Sequence, residues 1–354
     1  MNLVQTTVIL VSCCALVMLI GLAAALAMVA TSPLVNRVPK DVFGFASLQT
    51  NPQSAPPSLT RYAARDGEQL AYRFYDSTSD QILIFVHGSS YHGASYHALA
   101  SMISSSGVSK VVLPNLRGHF QSGRRRGDVD YVGQLEDDIA DLVQCLRKRN
   151  LQGPVILGGH SSGGGFVIRF SGGVYAHLIS RFLMLSPIIP ASPAIRGGSS
   201  GGWANLHMRR LLGLLTLNSV GIRGFNGLSV IEFNKPVEFW DGSETLSYSY
   251  RLNVSYHPRL RYRRDLRRLD EGAMVVIGQN DQAIDAHVLQ QMFAKEASAV
   301  RFSILPGIDH FGIFTSVVAH RAIADWLAEP TTGFFNVDEE GGRLGGEPRA
   351  DPTR

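Results

Sequence analysis

The sequence predicts an α/β fold, a mostly parallel sheet covered by helices on both faces. Short, continuous apolar runs recur along the chain, and such runs suit strands buried on both faces. They alternate with segments of helical spacing, the order that sandwiches parallel strands between helical layers. The chain has 354 residues, 45% of them hydrophobic and 18% charged, enough apolar material for one large packed domain or two small ones. A net charge of +4 is too weak to argue for nucleic acid, and no nucleic-acid module accompanies it. Cys13 and Cys14 lie in an apolar run and Cys145 is isolated, so neither a disulfide framework nor a zinc spacing can be drawn.

Residues 8–30 contain no charged side chain and are long enough to span a bilayer with some tilt. No Lys or Arg precedes the run, unlike a cleaved signal peptide, so 1–30 is read as a retained, single-pass membrane anchor. Arg37 and Lys40 follow it, and this basic bias leans towards a cytoplasmic position for the rest of the chain. Residues 31–58, rich in Pro, Ser, Asn and Gln, are expected to form a flexible tether. The folded domain is expected over 59–330. It opens with two short strands turning at Asp66-Gly67. Buried strands are predicted at 82–86 and 110–113, a helix over 132–148, a strand at 155–157 followed by a helix, and a strand over 181–186. The alternation stops over 187–258, which reads as an insertion across the sheet edge, with a helix over 206–217. It resumes with a strand at 273–277, a helix over 286–295, a strand at 301–305 and a last helix over 313–327. The Gly-, Glu- and Arg-rich tail, 331–354, holds little that could be buried and is expected to be disordered.

The chemistry-bearing residues fall at the carboxyl ends of these strands. Gly159-His160-Ser161-Ser162-Gly163 lies between a strand and a helix, the context of a nucleophile elbow. Gly159 and Gly163 flank a strained turn in which a side chain would clash. Ser161 is the expected nucleophile, and the Ser162 N–H at the helix start is one expected oxyanion donor. A serine hydroxyl needs a base, and the base needs an orienting acid. Asp281 follows the 273–277 strand and His310 follows the 301–305 strand, so both stand where such a sheet builds its site. Asp285 and Asp309 are rival acids; Asp281 is favoured as closer to its strand. A second oxyanion donor is expected from the Ser89 N–H, in His87-Gly88-Ser89 after the 82–86 strand. His87 is read as holding that loop by a hydrogen bond. His87, His92 and His97 recur at a spacing of five, which suits neither helical nor strand pairing of ligands, so no metal is assigned. No cofactor is called for.

Between about residues 61 and 329 the chain resembles the α/β-hydrolase superfamily, and within it the branch of monoacylglycerol lipases, lysophospholipases and the serine aminopeptidase S33 domain. His87-Gly88, Leu116-Arg117-Gly118-His119, the Ser161 pentapeptide, Gly278 with Asp281, and Asp309-His310 carry the likeness. The resemblance implies an eight-stranded sheet, a lid between strands six and seven (about 187–258), the triad Ser161, Asp281 and His310, and oxyanion donors Ser89 and Ser162. The family usually has Asp where this chain has Asn115, and Gly where it has Phe120.

The reading this supports is a membrane-anchored serine hydrolase acting on lipophilic carboxylic esters such as monoacylglycerols or lysophospholipids. Its expected partners are that substrate and the lipid bilayer. A peptidase or acyltransferase would use the same apparatus, and a non-catalytic binding protein could share the fold. Arginines 259, 261, 263, 264, 267 and 268 read as a solvated helix face, with anionic lipid headgroups as the alternative contact. Oligomeric state leaves no mark on the sequence.

Overall fold

The computed structural model describes residues 3–33, 41–48, 55–198 and 202–329. Strands β1 (Thr60–Ala63) and β2 (Gln69–Tyr75) form an antiparallel hairpin around Asp66-Gly67. β3 (Ile82–Val86), β4 (Lys110–Asn115), β5 (Val155–His160) and β6 (Arg181–Leu185) follow. Every residue of β3, β5 and β6 is buried, as continuous apolar runs between two helical layers should be. Within the insertion come β7 (Ala204–Leu206), β8 (Ser229–Phe233) and β9 (Ser247–Ser249), and after it β10 (Ala273–Gly278) and β11 (Arg301–Leu305). The main sheet has eight strands in the order β1-β2-β4-β3-β5-β6-β10-β11, and apart from the β1–β2 and β2–β4 pairs its neighbours are parallel.

Register places the site. Val86 pairs with Gly159, so the loops leaving β3 and β5 emerge side by side. Gly278 pairs with Leu305, which does the same for the loops leaving β10 and β11. All four loops open at the carboxyl edge, where parallel sheets bind ligands.

The helices that cover the sheet largely follow the predicted spacing. α1 (Leu3–Ala30) is the N-terminal apolar helix and α2 (His97–Ser105) links β3 to β4. α3 (Gln134–Lys148) buries Leu135, Ile139, Leu142, Val143 and Leu146. α4 (Ser162–Ser171) leaves the elbow, and α5 (Met208–Ser219) and α6 (Tyr250–Tyr256) belong to the insertion. α7 (Tyr262–Leu266) and α8 (Ala286–Glu296) follow. The predicted last helix is divided into α9 (Gly312–Thr315) and α10 (Val317–Ala328). Ser316 causes the break: its backbone is extended and its hydroxyl accepts the Ala319 N–H, 3.2 Å away, as the cap of a new helix. Part of the arginine run is spent on ion pairs rather than solvent. Arg263 and Arg267 approach Glu296 at 3.2 and 2.7 Å, and Arg259 lies 3.0 Å from Asp265.

The insertion between the sixth and seventh strands of the main sheet builds its own three-stranded antiparallel sheet, β7-β8-β9. α1 is 28 residues long with a mean hydropathy of 2.8 in its most apolar stretch, long and apolar enough to cross a membrane. Only its end is buried. Ala25 and Val29 join Leu214, Leu217, Val230 and Tyr250 in a second apolar cluster, so the helix is docked on the insertion.

Within the 31–58 stretch whose composition suggests a flexible tether, residues 41–48 are folded. The Asp41 carboxylate accepts the Gly44 N–H at 2.6 Å and the Phe45 N–H at 3.0 Å, turning the chain into a 3-10 helix, Phe45–Leu48. Phe43 and Phe45 are each 2% exposed. Two phenylalanines in a polar stretch find a cleft among the sheet's loops, and burial of each side chain is worth about 1.5–3 kcal/mol, enough to dock the segment. Residues 34–40 and 49–54 of the expected tether lie outside the described residues, as does the expected disordered tail, 331–354.

Candidate active site

Ser161 stands between β5 and α4 with φ 57° and ψ −120°, a strained conformation for a residue with a side chain. The turn is tight because its neighbours have no side chains. A Cβ on Gly159 would lie 2.4 Å from the Gly163 carbonyl oxygen, and one on Gly163 would lie 2.4 Å from that of Val86. The Ser161 Oγ is 3.1 Å from His310 Nε2, and His310 Nδ1 is 2.8 Å from Asp281 Oδ2. The other Asp281 oxygen accepts the Ala283 and Ile284 N–H groups, each at 2.9 Å, which fixes the carboxylate plane. His310 and Asp281 are both buried.

The rival acids are occupied elsewhere. Asp285 caps α8 through the His287 and Val288 N–H groups, both at 3.1 Å, and lies 3.3 Å from Arg196. Asp309 accepts the Gly312 N–H at 2.6 Å. Of the three carboxylates, Asp281 is the one that meets His310.

Ser162 is the first residue of α4, where a helix leaves its N–H groups without intrahelical partners. Ser89, on the loop after β3, is brought against it: the two hydroxyls are hydrogen-bonded to each other. Ser162 Oγ also lies 3.3 Å from His257 Nε2, at the end of α6. His257 Nδ1–H donates to the Asn253 carbonyl at 2.9 Å. Burial lowers the His257 pKa, so the ring is neutral and its Nε2 accepts the Ser162 proton.

A longer chain of hydrogen bonds braces the site. The Gly88 N–H donates to the Tyr96 hydroxyl at 2.9 Å, and Tyr96 donates to His160 Nδ1 at 2.9 Å. His160 Nε2–H then donates to the His310 carbonyl at 3.0 Å. Burial holds the His160 pKa well below its ordinary value, and His310 beside it lowers it further, so the neutral ring serves as acceptor and donor at once. The insertion adds two more braces. Tyr248 accepts the Ser90 N–H at 2.8 Å and donates to His119 Nε2 at 2.7 Å. Tyr256 donates to the His87 carbonyl. Burial pushes the His119 pKa down to about 4, which keeps its Nε2 an acceptor. His87 holds the loop from inside: its Nε2 accepts the Leu116 N–H at 3.2 Å and its Nδ1–H donates to the Gly88 carbonyl at 2.9 Å.

Asn115 has an amide's use. Its Oδ1 accepts the Gly93 N–H at 2.8 Å and its Nδ2 donates to the Phe120 carbonyl at 2.7 Å, the second of which a carboxylate could not do. Tyr96, Tyr248, Tyr256 and His257 bear on the site without any signature in the sequence. His160 sits within the motif, but at its variable position.

A strained serine between a β-strand and a helix is hydrogen-bonded to a histidine and through it to an aspartate, on an eight-stranded sheet. Residues 77–227 match the family described as Serine aminopeptidase, S33. The chain has the α/β-hydrolase fold. Its fold is similar to that of the Saccharomyces cerevisiae monoglyceride lipase, solved as a soluble variant with a substrate analogue. That likeness has a TM-score of 0.59 at 16% identity, covering 79% of this chain and 97% of the other. The monoacylglycerol lipase of Paleococcus ferrophilus aligns with a TM-score of 0.57 at 20% identity, over 73% of this chain and 98% of that one. Epoxide hydrolases from metagenomes of hot environments align at 0.53 and 17% identity, over 77% and 99%, so the α/β-hydrolase frame alone does not choose the reaction. A comparison of the sequence with curated proteins gives no match.

Beside this site lies an open cavity of about 940 Å3 with a mixed lining, aromatic at Phe45, Tyr91, Phe239 and Trp240 and charged at Lys235 and Asp241.

Proposed function

We propose that this protein is a membrane-anchored serine hydrolase that cleaves carboxylic esters of lipophilic substrates, monoacylglycerol- or lysophospholipid-like, through an acyl-enzyme. The observation that carries the reading is the chain Ser161 Oγ–His310–Asp281, with spacings of 3.1 and 2.8 Å. In this mechanism Ser161 attacks the ester carbonyl as its proton passes to His310 Nε2. Asp281 accepts from Nδ1 and stabilises the imidazolium. The Ser89 and Ser162 N–H groups, held together by their bonded side chains, receive the oxyanion. His310 gives its proton to the departing alcohol, and water then hydrolyses the acyl-enzyme by the same steps in reverse.

The lipophilic substrate class is supported by the apolar helix α1 docked on the insertion and by the aromatic side chains on one part of the mixed cavity beside the site. α1 anchors the protein, and the insertion serves as the lid over the site. The test is labelling of the detergent-solubilised protein with a fluorophosphonate, expected for the native chain and abolished in Ser161→Ala. A screen of esters and aminoacyl amides then follows. Equal labelling of both proteins would remove the nucleophile from Ser161, and faster cleavage of amides than of any ester would make the protein a peptidase.

A further inference from the structure

We propose that Phe43 and Phe45, on the segment that follows the apolar helix, are specificity-determining residues that limit the size of the leaving group. The inference rests on the serine-hydrolase reading and adds to it a wall of the site contributed from outside the sheet and the insertion.

The Phe43 ring lies against the His310 imidazole, centroids 4.6 Å apart and planes 20° apart. His310 has both nitrogens committed, Nδ1 to Asp281 and Nε2 to Ser161. The departing alcohol must take its proton from Nε2, so it must lie alongside this ring. One face of the ring is already covered by Phe43. Phe43 also meets Trp203 at 5.5 Å and Phe311 at 5.1 Å. Phe45 continues the wall, with Trp203 at 5.6 Å, Phe239 at 5.6 Å and Phe311 at 5.2 Å. The two rings therefore fill the space between the His310 loop and the insertion, where an alcohol group would extend. Phe45 and Tyr91 line the neighbouring cavity, but neither Ser161 nor His310 does. With the segment in place, a slender alcohol fits beside His310 and a broad one does not. The Asp41 carboxylate, accepting from Gly44 and Phe45, holds the two phenylalanines in this position.

Phe43→Ala and the milder Phe43→Leu test this in the full-length, detergent-solubilised protein. The substrates are methyl, benzyl and 1-naphthylmethyl esters of one acid. The expected result is a rise in the kcat/KM ratio of naphthylmethyl to methyl ester of about tenfold or more in Phe43→Ala, with Phe43→Leu between it and the native protein, as a change in pocket volume of this size allows. An unchanged ratio, including a parallel fall for all three esters, would overturn the proposal and leave Phe43 a packing residue. Phe43→Leu keeps the apolar contact, so a folding defect in Phe43→Ala does not remove the test. Rates of labelling by alkylphosphonate diesters that expel a small or a broad aryloxide provide a second readout that needs no ester turnover. A native chain that labels but cleaves no ester sinks the esterase reading, and the labelling ratio still decides the role of Phe43. Labelling that appears only in Phe43→Ala supports the proposal in its strongest form. No labelling in any of these proteins overturns the serine-hydrolase reading and this one with it.

Discussion

Replacing Asp281 by asparagine removes one charge and one acceptor, and the surroundings dictate which way the new amide must turn. Its oxygen has to face the Ala283 and Ile284 N–H groups, each 2.9 Å from the present carboxylate. The reverse orientation would set an NH2 against two buried donors, at about 1–3 kcal/mol for each N–H left unsatisfied. The NH2 is therefore driven towards His310 Nδ1, now 2.8 Å from Oδ2. An NH2 donates, so Nδ1 must present its lone pair and the ring proton moves to Nε2. Nε2 then faces the Ser161 hydroxyl with a hydrogen and no longer acts as its base. The expected loss in kcat is on the order of 10⁴, as for a triad locked in the wrong tautomer, about 5.5 kcal/mol of barrier. Asp285→Asn is the matched control. Asparagine caps a helix as well as aspartate does, and the half-exposed pair with Arg196 contributes only about 0–1 kcal/mol. Its kcat should stay within about twofold of the native value. The assay is steady-state hydrolysis of a soluble p-nitrophenyl ester by the detergent-solubilised protein, with melting temperature measured alongside. A folded Asp281→Asn protein retaining a tenth or more of native kcat, or a larger loss in Asp285→Asn, would refute the argument.

Tyr248→Phe should destabilise the fold by about 1–3 kcal/mol and lower kcat, because it strands the Ser90 N–H and His119 Nε2 in a buried site. Denaturant unfolding that shifts by less than about 0.5 kcal/mol would contradict this. Stability should fall as pH drops from about 6.5 to 4. Burial holds the His92 and His119 pKa values down to about 4, whereas free imidazoles titrate near 6.5, so the unfolded chain binds more protons throughout that window. Each of these residues adds on the order of 3 kcal/mol above the window that is lost across it, and a melting temperature unchanged between pH 7 and 4.5 would count against the buried, neutral rings. Deleting residues 1–30 should leave a domain that still binds detergent or lipid vesicles, since it bares Leu214, Leu217, Val230 and Tyr250 on the insertion. A monodisperse truncated protein that ignores vesicles would show that α1 is not packed there.

The sequence by itself determined what rests on local pattern. Runs such as Ile82–Val86 and Ala273–Gly278 read as strands because burial on both faces demands unbroken apolar side chains, and the less apolar Arg301–Leu305, at the sheet edge, reads as one from its place in the alternation. Ser161, Asp281 and His310 stood out because each follows such a run at a loop, and small residues around Ser161 marked a turn. Other features were decided only in three dimensions. Closeness to its strand favoured Asp281 over Asp285 and Asp309, but all three are aspartates in short loops, and the choice was made by which oxygen comes within 2.8 Å of His310. α2 escaped notice because nine residues with only Leu99, Ala100 and Ile103 buried give too short a run to show a helical period. Tyr248 braces a loop 158 residues earlier in the chain, a pairing that no periodicity encodes. Phe43 and Phe45 looked like part of a tether because two aromatics in a polar stretch make no pattern. Their burial depends on a cleft formed jointly by Tyr91, Trp203, Phe239 and Phe311, which the chain brings together only when the sheet and the insertion have closed around it.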